Sequence, residues 1–234
     1  MSKLNANGKL RNKLYSFLYH NKFLEKIFHT TVYNLKRDLK DCKSALDLGC
    51  GKDSPIQYCK SIEYSVGVEA FKPSLEASKS KKIHSKYINE NLIDVNFAED
   101  SFDAVIMIEI IEHLDKNDAL NLIDRANRWA KNKVILTTPN GYLPQNEYDS
   151  NILQNHLCGF DVKELKSLGF KVYGSAGLKI LYSEQKNKNN NEIIWIRKPV
   201  VFWTIIAGVS RLFTYYLPFY AFELYAVRNK KYLC

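Results

Sequence analysis

The stretch Ser44-Ala45-Leu46-Asp47-Leu48-Gly49-Cys50-Gly51-Lys52-Asp53-Ser54-Pro55 constrains the fold more than any other. An apolar run suited to a buried strand carries an Asp, ends in Gly-x-Gly and gives way to Ser-Pro. Gly49 and Gly51 lack a Cβ, so the chain can turn sharply and a ligand can approach the backbone closely. Ser54 as N-cap and Pro55 at the first helical position open a helix. Strand, glycine turn and helix N-terminus together form the ligand cradle of an open α/β sheet. The same string also serves as a plain tight turn, so the rest of the chain decides between the two.

From Ser44 onward strands and helices alternate. Strands are predicted at 44–49, 64–69, 86–89, 102–108, 133–137 and 170–173, with helices at 55–60, 73–82, 115–130 and 162–168. Phe102-Asp103-Ala104-Val105-Ile106-Met107-Ile108 is nearly all apolar, as in a strand buried on both faces. Repeated βα units of this length imply a doubly wound sheet of about seven strands, the last one antiparallel. Ahead of it, residues 1–43 carry apolar residues at helical spacing (Leu10, Leu14, Phe17, Leu18, then Phe23, Leu24, Ile27, Phe28, then Val32, Leu35) and read as basic amphipathic helices capping the core. The core spans 44–183. Residues 184–234 complete it with a polar loop at 185–191, an apolar amphipathic helix at about 200–217 and a final strand at 222–228. At 100° per residue, Phe202, Ile205, Ile206, Val209, Leu212, Phe213 and Tyr216 gather opposite Thr204, Arg211, Thr214 and Tyr215. This helix can lie at a membrane interface, pack on the domain or meet a dimer mate.

The formal charge of +9 suits an acidic partner such as an anionic membrane surface, nucleic acid or a phosphorylated substrate. Much of it sits in the first forty-odd residues, where Lys3, Lys9, Arg11, Lys13, Lys22, Lys26, Lys36, Arg37, Lys40 and Lys43 face only Glu25, Asp38 and Asp41. A solvated helical face explains the same pattern. Cys42, Cys50, Cys59, Cys158 and Cys234 form no C-x-x-C, so reduced thiols are expected rather than a zinc knuckle or disulfide framework. Met1–Gly8 is polar, without the apolar core of a secretory leader, so a cytoplasmic location is expected. The basic amino-terminal helices and the 200–217 helix add a place peripheral to the inner face of the membrane as a further expectation.

The second strand ends in Val66-Gly67-Val68-Glu69-Ala70-Phe71. A carboxylate about twenty residues beyond the glycine turn can accept both hydroxyls of a ribose. The Gly-Lys-Ser/Thr of a phosphate loop and the third glycine of a dinucleotide fingerprint are both absent. A nucleoside ligand without a pyrophosphate satisfies all three observations.

Leu46-Asp47-Leu48-Gly49-Cys50-Gly51, Gly67-Val68-Glu69, Ser101-Phe102-Asp103-Ala104-Val105 and Thr138-Pro139-Asn140, in this order and spacing, resemble the class I S-adenosylmethionine-dependent methyltransferases with a type 11-like domain. The resemblance covers about residues 43–175 and implies a Rossmann-like fold. It implies that Gly49, Cys50 and Gly51 border the methionine part of S-adenosylmethionine and that Asp47 supports their turn. Glu69 and Ala70 would hold the ribose, and Asn91, with Asn89 as competitor, would face the adenine. The family usually has Asp at that last position, and its third glycine is Asp53 here.

Strand four runs into Glu109-Ile110-Ile111-Glu112-His113-Leu114 at the carboxyl end of the sheet, where open α/β folds bind ligands. Continued as a helical turn, it puts Glu109, Glu112 and His113 on one face. His156 follows later, after a loop too polar for the core. Mixed O/N ligands of this kind suit a divalent cation such as magnesium, manganese, iron or zinc. The string resembles the metal site of small-RNA 2′-O-methyltransferases and the Glu-His of quinone-pathway O-methyltransferases. The alternatives are a metal-free acid/base role for His113, seconded by His156 and supported by Glu112, and plain structural hydrogen bonding. Glu109 also borders the cofactor. Gln145, Glu147, Tyr148 and Gln154, near the cofactor mouth, are candidates for acceptor contacts. The resemblance implies methyl transfer, read here as transfer to oxygen of a small or lipid-linked acceptor. The basic amino-terminal helices and the 200–217 helix motivate a membrane surface as the place where it is met. RNA methylation with a Glu/Glu/His/His metal site and a noncatalytic partner subunit are the other readings. No aromatic-and-basic platform for nucleic acid is evident.

Overall fold

The computed structural model describes residues 21–145, 151–186, 191–195 and 200–230. The chain begins there with two short helices, α1 (Lys22–Ile27) and α2 (Thr31–Asp38). Their starts are set by side chains: Asn21 Oδ1 accepts from the Phe23 and Leu24 N–H groups, and Thr30 Oγ1 from Tyr33 N–H. Part of the expected amino-terminal helix set, residues 1–20, lies outside the described residues.

Next come β1 (Ser44–Leu48), β2 (Tyr64–Val68), α3 (Lys72–Ser80), β3 (Lys86–Ile88), β4 (Phe102–Ile108), α4 (Lys116–Trp129), β5 (Ala130–Pro139), α5 (Val162–Ser167) and β6 (Lys171–Leu178). A hairpin of β7 (Tyr182–Lys186) and β8 (Asn191–Trp195), then α6 (Val200–Thr214) and β9 (Ala221–Asn229), complete the chain. The main sheet runs β3-β2-β1-β4-β5-β9-β6. Its pairs from β3 to β5 are parallel, while β9 enters antiparallel between β5 and β6. The Rossmann-like sheet of seven strands with an antiparallel last strand is therefore present as expected.

The apolar run of β4 has a direct physical reason. Val105 and Met107 face one core with α4, α5 and Trp129, while Ala104 and Ile106 face another with Leu35, Leu39, Ile56 and Tyr225. A strand covered on both faces cannot alternate with polar residues. The amino-terminal helices close the second face. Arg37 pairs with Asp38 and reaches Tyr215 Oη, His29 stacks on Tyr215 with ring centroids 3.8 Å apart, and Tyr225 Oη donates to Asp38. Cys42, Cys50, Cys59 and Cys158 are buried and in no disulfide.

Several boundaries differ from the sequence reading. The expected helix at 55–60 is a single 3-10 turn, Pro55–Tyr58. Strands five and six are longer than predicted, because pairing with β9 carries them past their apolar centres. The polar stretch 185–191 is not simply a loop: Gln185 and Lys186 pair with Glu192 and Asn191 in the β7–β8 hairpin, and 187–190 lie outside the described residues. The apolar helix ends at Thr214 rather than 217, three residues before the backbone restriction that Pro218 imposes on Leu217.

The orientation of α6 is the larger surprise. Its small and polar side is buried, through Ala207, Ser210 and Thr214, while Phe202, Ile205, Val209 and Phe213 are exposed. The strand beneath explains this. A Cβ at Gly174 would stand 2.0 Å from Thr214 O, and one at Gly177 would stand 2.4 Å from Ala207 O. Backbone-close packing of helix on strand needs small residues on both sides, so the bulky side must face away.

Candidate active site

The turn after β1 is tied to the end of β2. Gly49 and Cys50 N–H both donate to Val68 O, at 2.8 and 3.0 Å. Gly49 and Gly51 have φ of +69° and +54°, the left-handed region that glycine adopts without strain. Glu69 holds the turn from the other side: Oε2 accepts from Gly51 N–H at 3.0 Å and Oε1 from Phe71 N–H at 2.8 Å. A nucleoside's hydroxyls would therefore meet a carboxylate already fixed by two backbone donors.

Asp47 points beneath this turn. It is buried, Ser54 Oγ donates to its Oδ2 at 2.5 Å, and Ser54 caps the turn 55–58. Burial raises its pKa to about 7, against the opposing Ser54 hydrogen bond and with Glu69 adding repulsion. His84, which sequence reasoning missed, lies behind it. Its Nε2 stops 3.4 Å from Asp47 Oδ2, longer than a good hydrogen bond, and burial lowers its pKa to about 4. Between about pH 4 and pH 7 this pair is thus two neutral groups. Nothing in the local sequence announces His84; only the register of β2 with the chain after α3 brings it there.

A cavity of about 280 Å³ opens above the turn, lined by Asp47, Gly49, Cys50, Gly51, Glu69, Glu109, Ile110, Asn151 and Gln154 among others. A smaller one of about 80 Å³ adjoins it, lined by Glu69, Ala70, Asn91, Leu92, His113 and Leu153. Every residue assigned to the cofactor from sequence borders one or both. Asn91 lines the cavity, whereas Asn89 spends its amide on Glu69 O and Ala70 O, at 2.7 and 2.9 Å, and so shapes the loop instead. Space for a bound group is plainest at Gly51, where a Cβ would meet nothing within 4 Å. Asn151 and Leu153 were also missed; they come from a polar loop with no motif.

Beyond β4 the chain makes a 3-10 turn, Ile111–His113, after Glu109 at φ +54°. Glu109 N–H donates to Thr137 O and Oγ1. Glu112 is 1% exposed, and among the described residues neither of its carboxylate oxygens has a hydrogen bond of full geometry. Burial raises its pKa to about 7, and Glu109 is raised by burial and by Glu112. Glu223, from β9, joins this acidic group unannounced by sequence: burial, then Glu109, pushes it up to about 8.

The two imidazoles face one another, ring centroids 4.8 Å apart. His113 Nδ1 lies 3.2 Å from Asn155 O and His156 Nδ1 lies 2.6 Å from Leu143 O. A carbonyl only accepts, so both rings carry their proton on Nδ1 and leave Nε2 with a free lone pair. Burial lowers both pKa values, that of His113 to about 4. One ligand atom each from Glu112, His113 and His156 fall within 4.8 Å of one another, and Glu109 is outside that trio. Two bare imidazole nitrogens and an unpaired carboxylate can take up protons or hold a divalent cation. Gln145 Nε2 donates to Gln154 O and Gln145 O accepts from His156 N–H, so these two brace the His156 loop. Glu147 and Tyr148 lie outside the described residues.

The seven-stranded sheet of this order, with a glycine turn and the Glu69 carboxylate at its carboxyl edge, supports a class I S-adenosylmethionine-dependent methyltransferase domain. Residues 46–137 match the family model of a methyltransferase domain. Among solved structures, an S-adenosylmethionine-dependent methyltransferase from Archaeoglobus fulgidus is 18% identical, with 89% of this chain and 98% of that chain covered and a TM-score of 0.53. The PH0226 protein from Pyrococcus horikoshii OT3 is 15% identical over 90% of this chain and 92% of that one, with a TM-score of 0.50. The plantazolicin methyltransferase BpumL, solved in complex with SAH, is 12% identical over 96% and 97%, also with a TM-score of 0.50. At such identities the likeness is one of fold. No curated protein matches the chain in sequence.

Proposed function

We propose that this protein transfers the methyl group of S-adenosylmethionine to a hydroxyl oxygen of a small or lipid-linked acceptor met at a membrane surface. The observation that carries the reading is the meeting of two features at one opening: the Gly49–Gly51 turn with Glu69, and His113 on the wall of the adjoining cavity with its Nδ1 held on Asn155 O. The donor supplies an electrophilic methyl on a sulfonium and leaves as a neutral thioether. Glu69 and Asn91 hold the nucleoside end, and the glycine turn admits the methionine end against the backbone. Ile110 and the 151–154 segment wall the opening and limit water.

Within this reading His113, neutral near pH 7, accepts the hydroxyl proton at Nε2 as the oxygen forms its bond to carbon. Its Nδ1–H, fixed on Asn155 O, sets the ring orientation, and the Glu112 carboxylate stands ready to balance the imidazolium. A positioned base of this kind is worth about 10²–10⁴-fold. His156 is the second candidate base. The unpaired oxygens of Glu112 favour one variant, in which Glu112, His113 and His156 hold a divalent cation that lowers the pKa of the acceptor hydroxyl.

The test is methyl-label transfer from S-adenosylmethionine to catechol, to the same ring carrying a long alkyl chain in vesicles, and to a short RNA. Labelling of either catechol, lost in His113→Gln, supports the proposal. Labelling of RNA alone replaces it with the RNA reading, and no transfer to any hydroxyl refutes the oxygen-acceptor clause. Repeating the assay with EDTA separates the base from the metal variant: unchanged activity sinks the latter.

A further inference from the structure

On the outer side of α6, Phe202, Ile205, Val209 and Phe213 form a single stripe within an arc of about 80° at the helical 100° per residue, and Tyr216 follows in the turn just past the helix end. All five are exposed, Phe213 by 67% and Tyr216 by 69%. A helix in a water-facing position normally turns such a stripe inward. Here Gly174 and Gly177 admit only the small side of the helix, so the fold itself holds the stripe outward.

The stripe leads to the site. Tyr216 and Leu217 pass into the turn Pro218–Tyr220, whose Phe219 and Tyr220 are also exposed. The Asn140 side chain clasps this turn, its Nδ2 donating to Pro218, Phe219 and Ala221 carbonyls at 3.1, 3.2 and 2.9 Å. Two residues on, exposed Tyr142 reaches His156 O from its hydroxyl. Exposed apolar and aromatic side chains thus stand on α6, on the 218–220 turn and at Tyr142, whose hydroxyl reaches the His156 loop.

Cations border it. Lys166 Nζ stands 5.6 Å over the Phe219 ring, Lys171 Nζ stands 5.3 Å over Tyr173, and Lys179 Nζ donates to Asn140 O. Among the described residues no helix is long and apolar enough to cross a membrane, and α6 at 15 residues would reach only about 22 Å. We infer that this face docks on an anionic bilayer, with α6 in the interfacial plane and the mouth of the site turned toward the lipid. This rests on the proposed transferase function and narrows its acceptor to a hydroxyl carried on a membrane-embedded molecule. A second copy is the weaker occupant, because pairing the same face about a two-fold would set both sets of lysines against each other. Against anionic headgroups each lysine instead strengthens binding by about fivefold.

The experiment is flotation of the full chain with phosphatidylcholine vesicles, with and without phosphatidylglycerol, for wild type and the variant Ile205→Ser/Val209→Ser/Phe213→Ser. These side chains are exposed, so the variant should keep its fold and its S-adenosylmethionine binding, both measured alongside. Wild type should float, more strongly with phosphatidylglycerol, and the variant should partition at least about tenfold less. Wild type that stays behind with both vesicles, or a variant that floats equally, overturns the inference. So does a wild-type dimer in sedimentation that the variant dissociates. Cofactor binding in the same samples reports separately on the transferase reading.

Discussion

Adding one methyl group at Gly51 and at Gly49 should separate the loop's two roles. Both residues have positive φ, so alanine at either carries about 1–2 kcal/mol of left-handed strain. At Gly49 the new Cβ would also lie 2.0 Å from Ile110 Cδ1 and 2.7 Å from its Cγ1, forcing that side chain aside for about a further 1–3 kcal/mol. At Gly51 it meets no protein atom within 4 Å. Gly51→Ala should therefore fold with a modest loss and Gly49→Ala with a larger one, about 2–5 kcal/mol in all. The open space above Gly51 is where the account puts the cofactor, so its methyl should weaken binding instead. At a ligand concentration about 100-fold above the wild-type Kd, S-adenosylhomocysteine should stabilise wild type by about 2.7 kcal/mol. A tenfold weaker Gly51→Ala should gain only about 1.4 kcal/mol at that same concentration. Urea unfolding with and without the ligand reads both effects. Full ligand stabilisation of Gly51→Ala would refute the placement of the cofactor. A smaller folding loss at Gly49 than at Gly51 would refute the packing argument.

Three further perturbations follow from named contacts. Glu69→Gln keeps the volume but removes the charge that holds Gly51 and Phe71 N–H, so S-adenosylmethionine binding should weaken about 10–100-fold by calorimetry; unchanged affinity would clear Glu69 of the ribose role. Asp47 has a folded pKa raised to about 7, so its contribution is full below its unfolded value near 3.9 and is lost as pH rises through 7. The opposite gain from neutral His84 is complete only by about pH 7.5, and Glu112 and Glu223, raised to about 7 and about 8, add losses of the same sign. Between about pH 6.5 and 8.5 Asp47 therefore contributes about 0.8 kcal/mol of the fall in stability. Asp47→Asn should flatten that slope in pH-dependent urea titrations, and an equally steep slope would contradict the assignment. Gly174→Ala should loosen α6 by about 1–3 kcal/mol through the clash with Thr214 O, seen as faster hydrogen exchange confined to 200–217; protection like that of wild type would refute the close-packing account.

What the sequence made legible were features carried by local order. The continuous apolar run of β4, the Gly-x-Gly turn and the carboxylate at 69 each depend on residues adjacent in the chain, and the sheet follows from their succession. Asp47, Gly51, Glu69, Ala70 and Asn91 all reach the cavities for that reason. Long-range packing was not legible. His84 and Glu223 reach their places only through strand register, and no motif marks a lone His or Glu as the neighbour of another buried acid. The direction of α6 was hidden because a helical wheel shows that a face is apolar, not which way it points. That depends on Gly174 and Gly177, some thirty residues earlier in the chain. The β7–β8 hairpin was obscured by composition: Gln, Lys and Asn read as loop until the pairing of Tyr182 with Trp195 and of Ser183 with Ile194 fixes them.

The central claim is that the turn Gly49–Gly51 and Glu69 hold S-adenosylmethionine, and isothermal titration of the purified full chain with that compound tests it most directly. The account predicts saturable one-to-one binding, competed by S-adenosylhomocysteine, absent with NAD and weakened in Glu69→Gln. A well-folded protein that gives no binding heat at several temperatures, or that binds equally well in Glu69→Gln and Gly51→Ala, would contradict it.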